Sequence, residues 1–197
     1  MRVIAGKFRS RLLNSLPGLD IRPTSDRLRE TLFNVLCAGN PAALEGSVWV
    51  DLYAGTGAVG IEALSRGAVR VSFVESAPDA AELIGKNLKS LGIENGSLVI
   101  RLDVKKALLR LEVAGPVDFI FLDPPYSEHA AYERTLKALS QSKLLANNSL
   151  VIVEHERKFD PGEDFGTLRR YRKLEQGDAA LSFYRALPLT PIPASDQ

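Results

Sequence analysis

Apolar residues in this chain come in short runs separated by segments of a different period. Val48 to Leu52, Val71 to Glu75, Leu98 to Leu102, Phe119 to Leu122 and Leu150 to Glu154 are compact apolar runs of strand length, rich in β-branched and aromatic residues. Between them, Val59 to Arg66, Pro78 to Leu91, Lys105 to Leu111 and Ala130 to Ser140 carry apolar residues three and four apart, the spacing of one helix face. Parallel strands need a crossover connection and a helix supplies it, so strict β/α alternation predicts a mostly parallel sheet with helices on both faces. The expected fold class is α/β, Rossmann-like and doubly wound.

The two ends depart from this pattern. Alternating character from Arg2 to Leu13, broken at Gly6-Lys7, predicts a small β-hairpin arm, and Pro17-Gly18 a turn after it. Pro23-Thr-Ser-Asp26 supplies helix-start residues, and Leu28, Leu32, Val35 and Leu36 continue at helical spacing through Cys37 to a stop near Gly39-Asn-Pro41. After Glu154, Leu168 to Leu174 and Ala180 to Leu187 read as a terminal antiparallel pair joined by Glu175-Gln-Gly-Asp178. The expected organisation is a basic arm over 1–22, one catalytic domain over 23–188 and a flexible tail over 189–197.

Composition narrows the classes. The chain has 197 residues, of which 45% are hydrophobic, enough to bury one sizeable core. No apolar run approaches the roughly 20 residues that span a bilayer, and the N-terminus lacks a signal-peptide pattern. We expect a cytoplasmic monomer without a membrane partner. A single cysteine, Cys37, excludes an intrachain disulfide. The two histidines, His129 and His155, are too few for a zinc hydrolase, so metal-free chemistry is expected and both read as structural or surface residues. Trp49 and Phe73 sit inside strand patterns and read as core.

Charge changes the picture more than hydropathy does. The formal net charge is only +1, yet Arg2, Lys7, Arg9, Arg11 and Arg22 face the single acid Asp20 over the first 22 residues, and Arg27 follows in the first predicted helix. Arg169-Arg-Tyr-Arg-Lys173 forms a second basic stretch. Such runs are either solvated faces or contacts for a polyanion.

The candidate chemistry lies at strand ends. Asp51-Leu-Tyr53-Ala-Gly55-Thr56-Gly57-Ala-Val-Gly60 joins the first strand to a helix and fits the G-x-G-x-x-G spacing, with Glu75 ending the next strand where ribose hydroxyls are bound. Taken alone this is a dinucleotide fingerprint. Asp51 argues against it, because a carboxylate at the loop entrance repels a pyrophosphate but suits the ammonium and sulfonium of S-adenosylmethionine. Asp103 is read as ending the third strand, which puts three acids on one rim. Asp123-Pro124-Pro-Tyr126 ends the fourth strand, across the switch point where such sheets bind ligands. Two prolines rigidify that loop and leave carbonyls to point outward.

At these residues the chain resembles the class I S-adenosylmethionine-dependent methyltransferases, and within them the RsmD family of 16S ribosomal RNA guanine-N2 methyltransferases. Asp51 to Gly57 and Asp123 to Tyr126 carry the general likeness. Arg22-Pro-Thr-Ser-Asp-Arg-Leu-Arg-Glu-Thr-Leu-Phe-Asn34, after an Arg-Val-Ile-Ala-Gly-Lys start, carries the family-specific part, with Glu154-His-Glu156 and Ser182-Phe-Tyr184 later. The chain departs at Gln176-Gly-Asp178, where the family has a Tyr-Gly pair. The resemblance implies seven strands with the last antiparallel, S-adenosyl-L-methionine as cofactor and 16S ribosomal RNA in the small subunit as partner. It implies a methionyl site at Gly55 to Gly57 flanked by Tyr53, ribose contacts at Glu75, and adenine contacts at Asp103 and Val104. Asp123, Pro124 and Tyr126 would hold the target base, and the basic arm would hold RNA. A DNA adenine-N6 or cytosine-N4 methyltransferase, a non-catalytic RNA-binding assembly factor and an NAD oxidoreductase remain as alternatives.

Overall fold

The computed structural model describes residues 1–15 and 24–187. The Pro17-Gly18 turn, Arg22, Pro23 and the tail from Pro188 lie outside the described residues.

After helix α1 (Asp26–Leu36) the chain alternates as its periodicity predicts: β1 (Val48–Leu52), α2 (Ala58–Ser65), β2 (Arg70–Val74), α3 (Pro78–Ser90), β3 (Ser97–Ile100), α4 (Val104–Leu111), β4 (Val117–Leu122), α5 (His129–Ser140) and β5 (Leu145–Glu156). Three further strands, β6 (Asp164–Phe165), β7 (Leu168–Gln176) and β8 (Ala179–Ala186), complete one sheet in the order β3-β2-β1-β4-β5-β8-β7-β6. β1 to β5 are parallel, and β8 runs antiparallel between β5 and β7. The seven-stranded arrangement is therefore present, and the two-residue β6 adds an eighth strand at the edge.

Two packed layers follow from strand alternation. On β1, Trp49 faces α1 and α2 while Val50 and Leu52 face α4 and α5, because successive side chains point to opposite sides. Trp49 is fully buried between Phe33 of α1 and Phe119 of β4, at ring distances of 5.5 and 4.7 Å. The same alternation puts three carboxylates on the α1 side of three adjacent strands: Asp51 with Trp49, Asp123 with Phe121 just past β4, and Glu154 with Ile152 on β5. Their shared face is a consequence of register.

Several boundaries differ from the expectation. β3 stops at Ile100, and Asp103 does not end it: its carboxylate accepts from the Lys106 amide at 3.1 Å and caps α4, so helix initiation competes with strand continuation and wins. β5 begins five residues early, at Leu145, where a register shift against β4 accommodates the polar Asn147-Asn-Ser149 stretch. The predicted hairpin reduces to one antiparallel bridge, Arg2 with Leu12, closing a tight loop.

That loop is docked, not free. Glu62 of α2, completely buried, accepts from the Ile4 and Ala5 amides at 2.8 and 3.0 Å, while the Ser65 carbonyl and hydroxyl accept from the Lys7 and Phe8 amides at 2.7 and 2.9 Å. Gly6 sits at φ +78°, and a Cβ there would meet the Ser65 carbonyl oxygen, so glycine alone permits this approach. Val3 and Leu13 plug into the α1–α2–α3 layer.

Candidate active site

The carboxyl ends of β1 and β4 part at the switch point, where strand order reverses, and an open cleft of about 1220 Å³ lies there. The glycine loop, Glu75 and the start of α4 form one wall; Asp123 to Glu128 and α5 form the other.

On the glycine-loop wall, Gly55 and Gly57 adopt φ of 54° and 77°, and the loop folds back onto its own acids. Glu75 accepts from the Gly55 amide at 2.9 Å and from the Ala77 amide at 2.8 Å. Asp51, 2% exposed, accepts from the Gly60 amide at 2.9 Å in the first turn of α2. Gly60 is required there, since a Cβ would stand 2.3 Å from the Phe73 ring. A carboxylate thus already occupies the helix terminus that a dinucleotide would use for its phosphates. The donor set fits a cationic, phosphate-free nucleoside such as S-adenosylmethionine: acids at Asp51 and Glu75, backbone bared by glycine, and Leu102, Val104 and Leu108 as apolar lining beside Asp103. Thr56 lies on the same wall, and its carbonyl accepts from the buried Asn87 amide at 3.0 Å. Tyr53, a non-glycine residue at φ 59°, reaches across to Thr135 of α5 at 3.1 Å and ties the two walls together.

Burial pushes the Asp51 carboxyl up to about 8; the Glu75 charge adds to the rise and the Gly60 amide opposes it. The unfolded carboxyl titrates near 3.8, so the folded form binds its proton more tightly. Its contribution to stability is complete below about pH 4 and is lost as pH rises towards about 8. Asp51→Asn should therefore melt with the wild type at low pH and several degrees above it at pH 8. Thermal melts of the protein without cofactor test this, and a difference independent of pH would refute it.

On the opposite wall, Asp123 carries a carboxylate with no hydrogen-bond donor among the described residues. Burial, then the charges of Glu154 and Asp51, hold its carboxyl well above the usual carboxylate range. The Pro124 carbonyl accepts from the buried Tyr132 hydroxyl at 3.2 Å, which fixes its direction and leaves one lone pair. Tyr126, half-buried at the rim, donates to Glu154 at 3.4 Å, and Thr24 donates to the other oxygen of Glu154 at 2.6 Å. Sequence reasoning named Asp51, Tyr53, Gly55, Thr56, Glu75, Asp103, Val104, Asp123, Pro124 and Tyr126, and all ten line this cleft. Gly57, also named, is buried at the start of α2 behind it.

Other predicted residues lie elsewhere. Arg2, Lys7, Arg9, Arg11 and Arg27 are exposed and none lines the cleft. Arg11 donates to the Ser90 carbonyl at 3.1 Å, and Arg2 stands 3.8 Å from Asp26. Glu154, Tyr132 and Thr24 were missed as site residues. Periodicity placed Glu154 at a strand end, and the register beside Asp123 was the signal that singles it out. His155 is wholly buried between the Ser182 hydroxyl and the Glu156 carbonyl, and His129 stacks on Phe159 at 4.2 Å. Among the described residues no cluster suits a metal ion and no helix is long and apolar enough to cross a membrane.

A parallel sheet ending in a reversed strand, a glycine loop after β1 and Asp-Pro-Pro-Tyr after β4 define a Rossmann-like methyltransferase. Known proteins agree. A putative methyltransferase, yhhF from Escherichia coli, superposes with TM-score 0.79 at 30% identity, covering 96% of this chain and 99% of that one. The family model described as conserved hypothetical protein 95 matches residues 1–185. Putative rRNA methyltransferase YlbH of Bacillus subtilis is 33% identical over 187 residues, 94% of this chain and 98% of its own length. Ribosomal RNA small subunit methyltransferase D of Escherichia coli is 35% identical over 157 residues, 79% of this chain and 75% of its own. The chain belongs to this family, the RsmD family of methyltransferases.

Proposed function

We propose that this enzyme methylates the exocyclic N2 amine of a guanine in small-subunit 16S ribosomal RNA, with S-adenosyl-L-methionine as donor. The observation that carries the reading is the Asp123 carboxylate, unbonded and facing the cleft beside the Pro124 carbonyl, across from the acidic glycine loop. Relatives named for small-subunit ribosomal RNA supply the substrate class.

Gly55 to Gly57 would admit the methionyl portion, Glu75 the ribose, and Asp103 with Val104 the adenine. Bound there, the cofactor supplies an electrophilic methyl carbon on a sulfonium. The guanine amine is a poor nucleophile because its lone pair is delocalised into the ring. Asp123 and the free lone pair of Pro124 would each accept one N–H, which favours a pyramidal nitrogen and aims its lone pair at that carbon. Asp123 would take the proton that the nitrogen loses on receiving the methyl group, whose former bonding pair would stay with the departing sulfur. Tyr126 would stack on the base, which must leave its helix at a cost of a few kcal/mol. The exposed cations of residues 1–15, with Arg22 and Arg27, would hold the RNA backbone, and the enzyme would act as a cytoplasmic monomer.

The test is transfer of labelled methyl to small-subunit RNA lacking endogenous modification, followed by digestion to nucleosides. Label in N2-methylguanosine is the expected result. Label in a different nucleoside would retain the enzyme class and overturn the target.

A further inference from the structure

We propose that Tyr171 and Arg172 of β7, with Arg185 of β8, form a second docking point for the phosphate backbone of the RNA substrate. The inference rests on the RNA-methylating reading above and locates a contact remote from the chemistry.

The basic stretch 169–173 divides into neutralised and available charge. Arg169 pairs with Asp164 at 3.0 Å, Arg170 with Asp160 and Glu163 at 2.7 and 2.9 Å, and Lys173 with Glu175 at 3.1 Å. These three are locally spent. Arg172 and Arg185 are exposed, and neither has an acidic partner among the described residues. Rings hold them instead: the Arg185 guanidinium lies 4.4 Å from the centre of Tyr171, and Arg172 lies 6.0 Å from that of Phe183. A guanidinium laid on a ring is oriented without being neutralised, so its N–H edge stays available to a phosphate. Tyr171 is 45% exposed and rests 6.3 Å from Phe183, which roots the cluster in the core.

Position decides the class of ligand. Phe183 belongs to the layer beneath α1, so the cluster opens on the side that also carries residues 1–15 and Arg27. Along the sheet, Arg185 pairs with Leu150, whereas Leu181 pairs with the site residue Glu154. Four residues of strand separate the two levels, roughly 13 Å at about 3.3 Å per residue. A single nucleotide bound in the cleft cannot span that distance and also present a second phosphate here. A polynucleotide whose target base enters the cleft can.

The experiment compares wild type with Arg172→Gln/Arg185→Gln in filter binding to protein-free small-subunit RNA across a KCl series. Removing two phosphate-binding guanidinium groups should weaken binding about tenfold at low salt and reduce the slope of log K against log salt by roughly 1.4 to 1.8. Tyr171→Phe should match wild type and Tyr171→Ala should fall between. Methyl transfer at saturating RNA should keep its kcat while KM rises, and cofactor affinity and melting temperature should not change. Unaltered affinity and slope in the double variant, with wild type active, overturn the patch and leave the proposed reaction standing. A loss seen only with protein-bearing subunits also overturns it, in favour of an acidic protein partner. A wild type that transfers no methyl group to RNA removes the parent reading and this proposal together.

Discussion

Asp123→Ala should reduce methyl transfer to RNA by about 10² to 10³-fold while leaving cofactor affinity within a factor of two or three. The size follows from removing one preorganised acceptor aimed at the reacting amine, a change of about 3 to 4 kcal/mol in transition-state stabilisation. The selectivity follows from geometry: Asp123 stands on the Asp-Pro-Pro-Tyr wall, and in the proposed reading the cofactor would be held by the glycine loop opposite. Asp123→Asn sharpens the test, since it keeps the volume but replaces one acceptor oxygen by a donor that repels an amine N–H. Its activity should fall as far as that of the alanine variant. The pH profile should carry the same signature. Burial and the Glu154 and Asp51 charges raise the Asp123 carboxyl, so the acceptor form accumulates as pH rises and kcat should climb above the range where an ordinary carboxylate has already ionised. Glu154→Gln removes one of those charges and should move that limb to lower pH. Single-turnover transfer across pH checks each point; an Asp123→Ala enzyme with more than a tenth of wild-type kcat would sink the acceptor role.

The fold was legible because its elements are locally consistent. Each strand run and each helical stripe obeys one period, and Asp-Pro-Pro-Tyr and the glycine loop are contiguous motifs at strand ends. What escaped was everything that depends on two distant segments meeting. Asp103 could end a strand or cap a helix, and only the Lys106 amide at 3.1 Å decides between them. Glu154 reads as an ordinary polar residue after an apolar run until β5 is set beside β4, when it falls next to Asp123 with Thr24 above it. Residues 169–173 look like one basic patch in sequence, whereas three of their five side chains are neutralised by acids of β6, the loop before it and their own strand. The N-terminal arm shows the limit most clearly. Alternation detected its doubled-back path, but its anchoring acid, Glu62, lies 57 and 58 residues away in the middle of an otherwise apolar helix.

That acid supports the prediction with the largest expected effect on stability. Glu62 is completely buried, and its two oxygens accept from the Ile4 and Ala5 amides while one also takes Arg66 Nε at 2.7 Å. Glu62→Ala would leave two amides and a largely buried guanidinium without their acceptor and open a void beneath the loop. Breaking a buried pair from one side costs about 3 to 5 kcal/mol, which for a chain of this size lowers Tm by roughly 6 to 20 °C. Glu62→Gln retains one carbonyl oxygen and should lose less than half as much. The first part to yield should be residues 1–15, because Glu62 anchors their turn and the remaining ties are spread along the segment: Ser65 to Lys7 and Phe8, Arg29 to the Arg2 carbonyl at 2.6 Å, Arg11 to the Ser90 carbonyl, Asn87 to Asn14, and the buried side chains of Val3 and Leu13. Limited proteolysis should therefore cut Glu62→Ala within that segment at temperatures where the sheet is intact, and a variant with wild-type Tm and cleavage pattern would refute the anchoring role. The same variant separates two jobs. If the exposed cations of residues 1–15 hold RNA, releasing the segment should raise KM for RNA and spare cofactor binding, because Glu62 lies on the arm side of α2 and no atom of residues 2–15 lines the cleft.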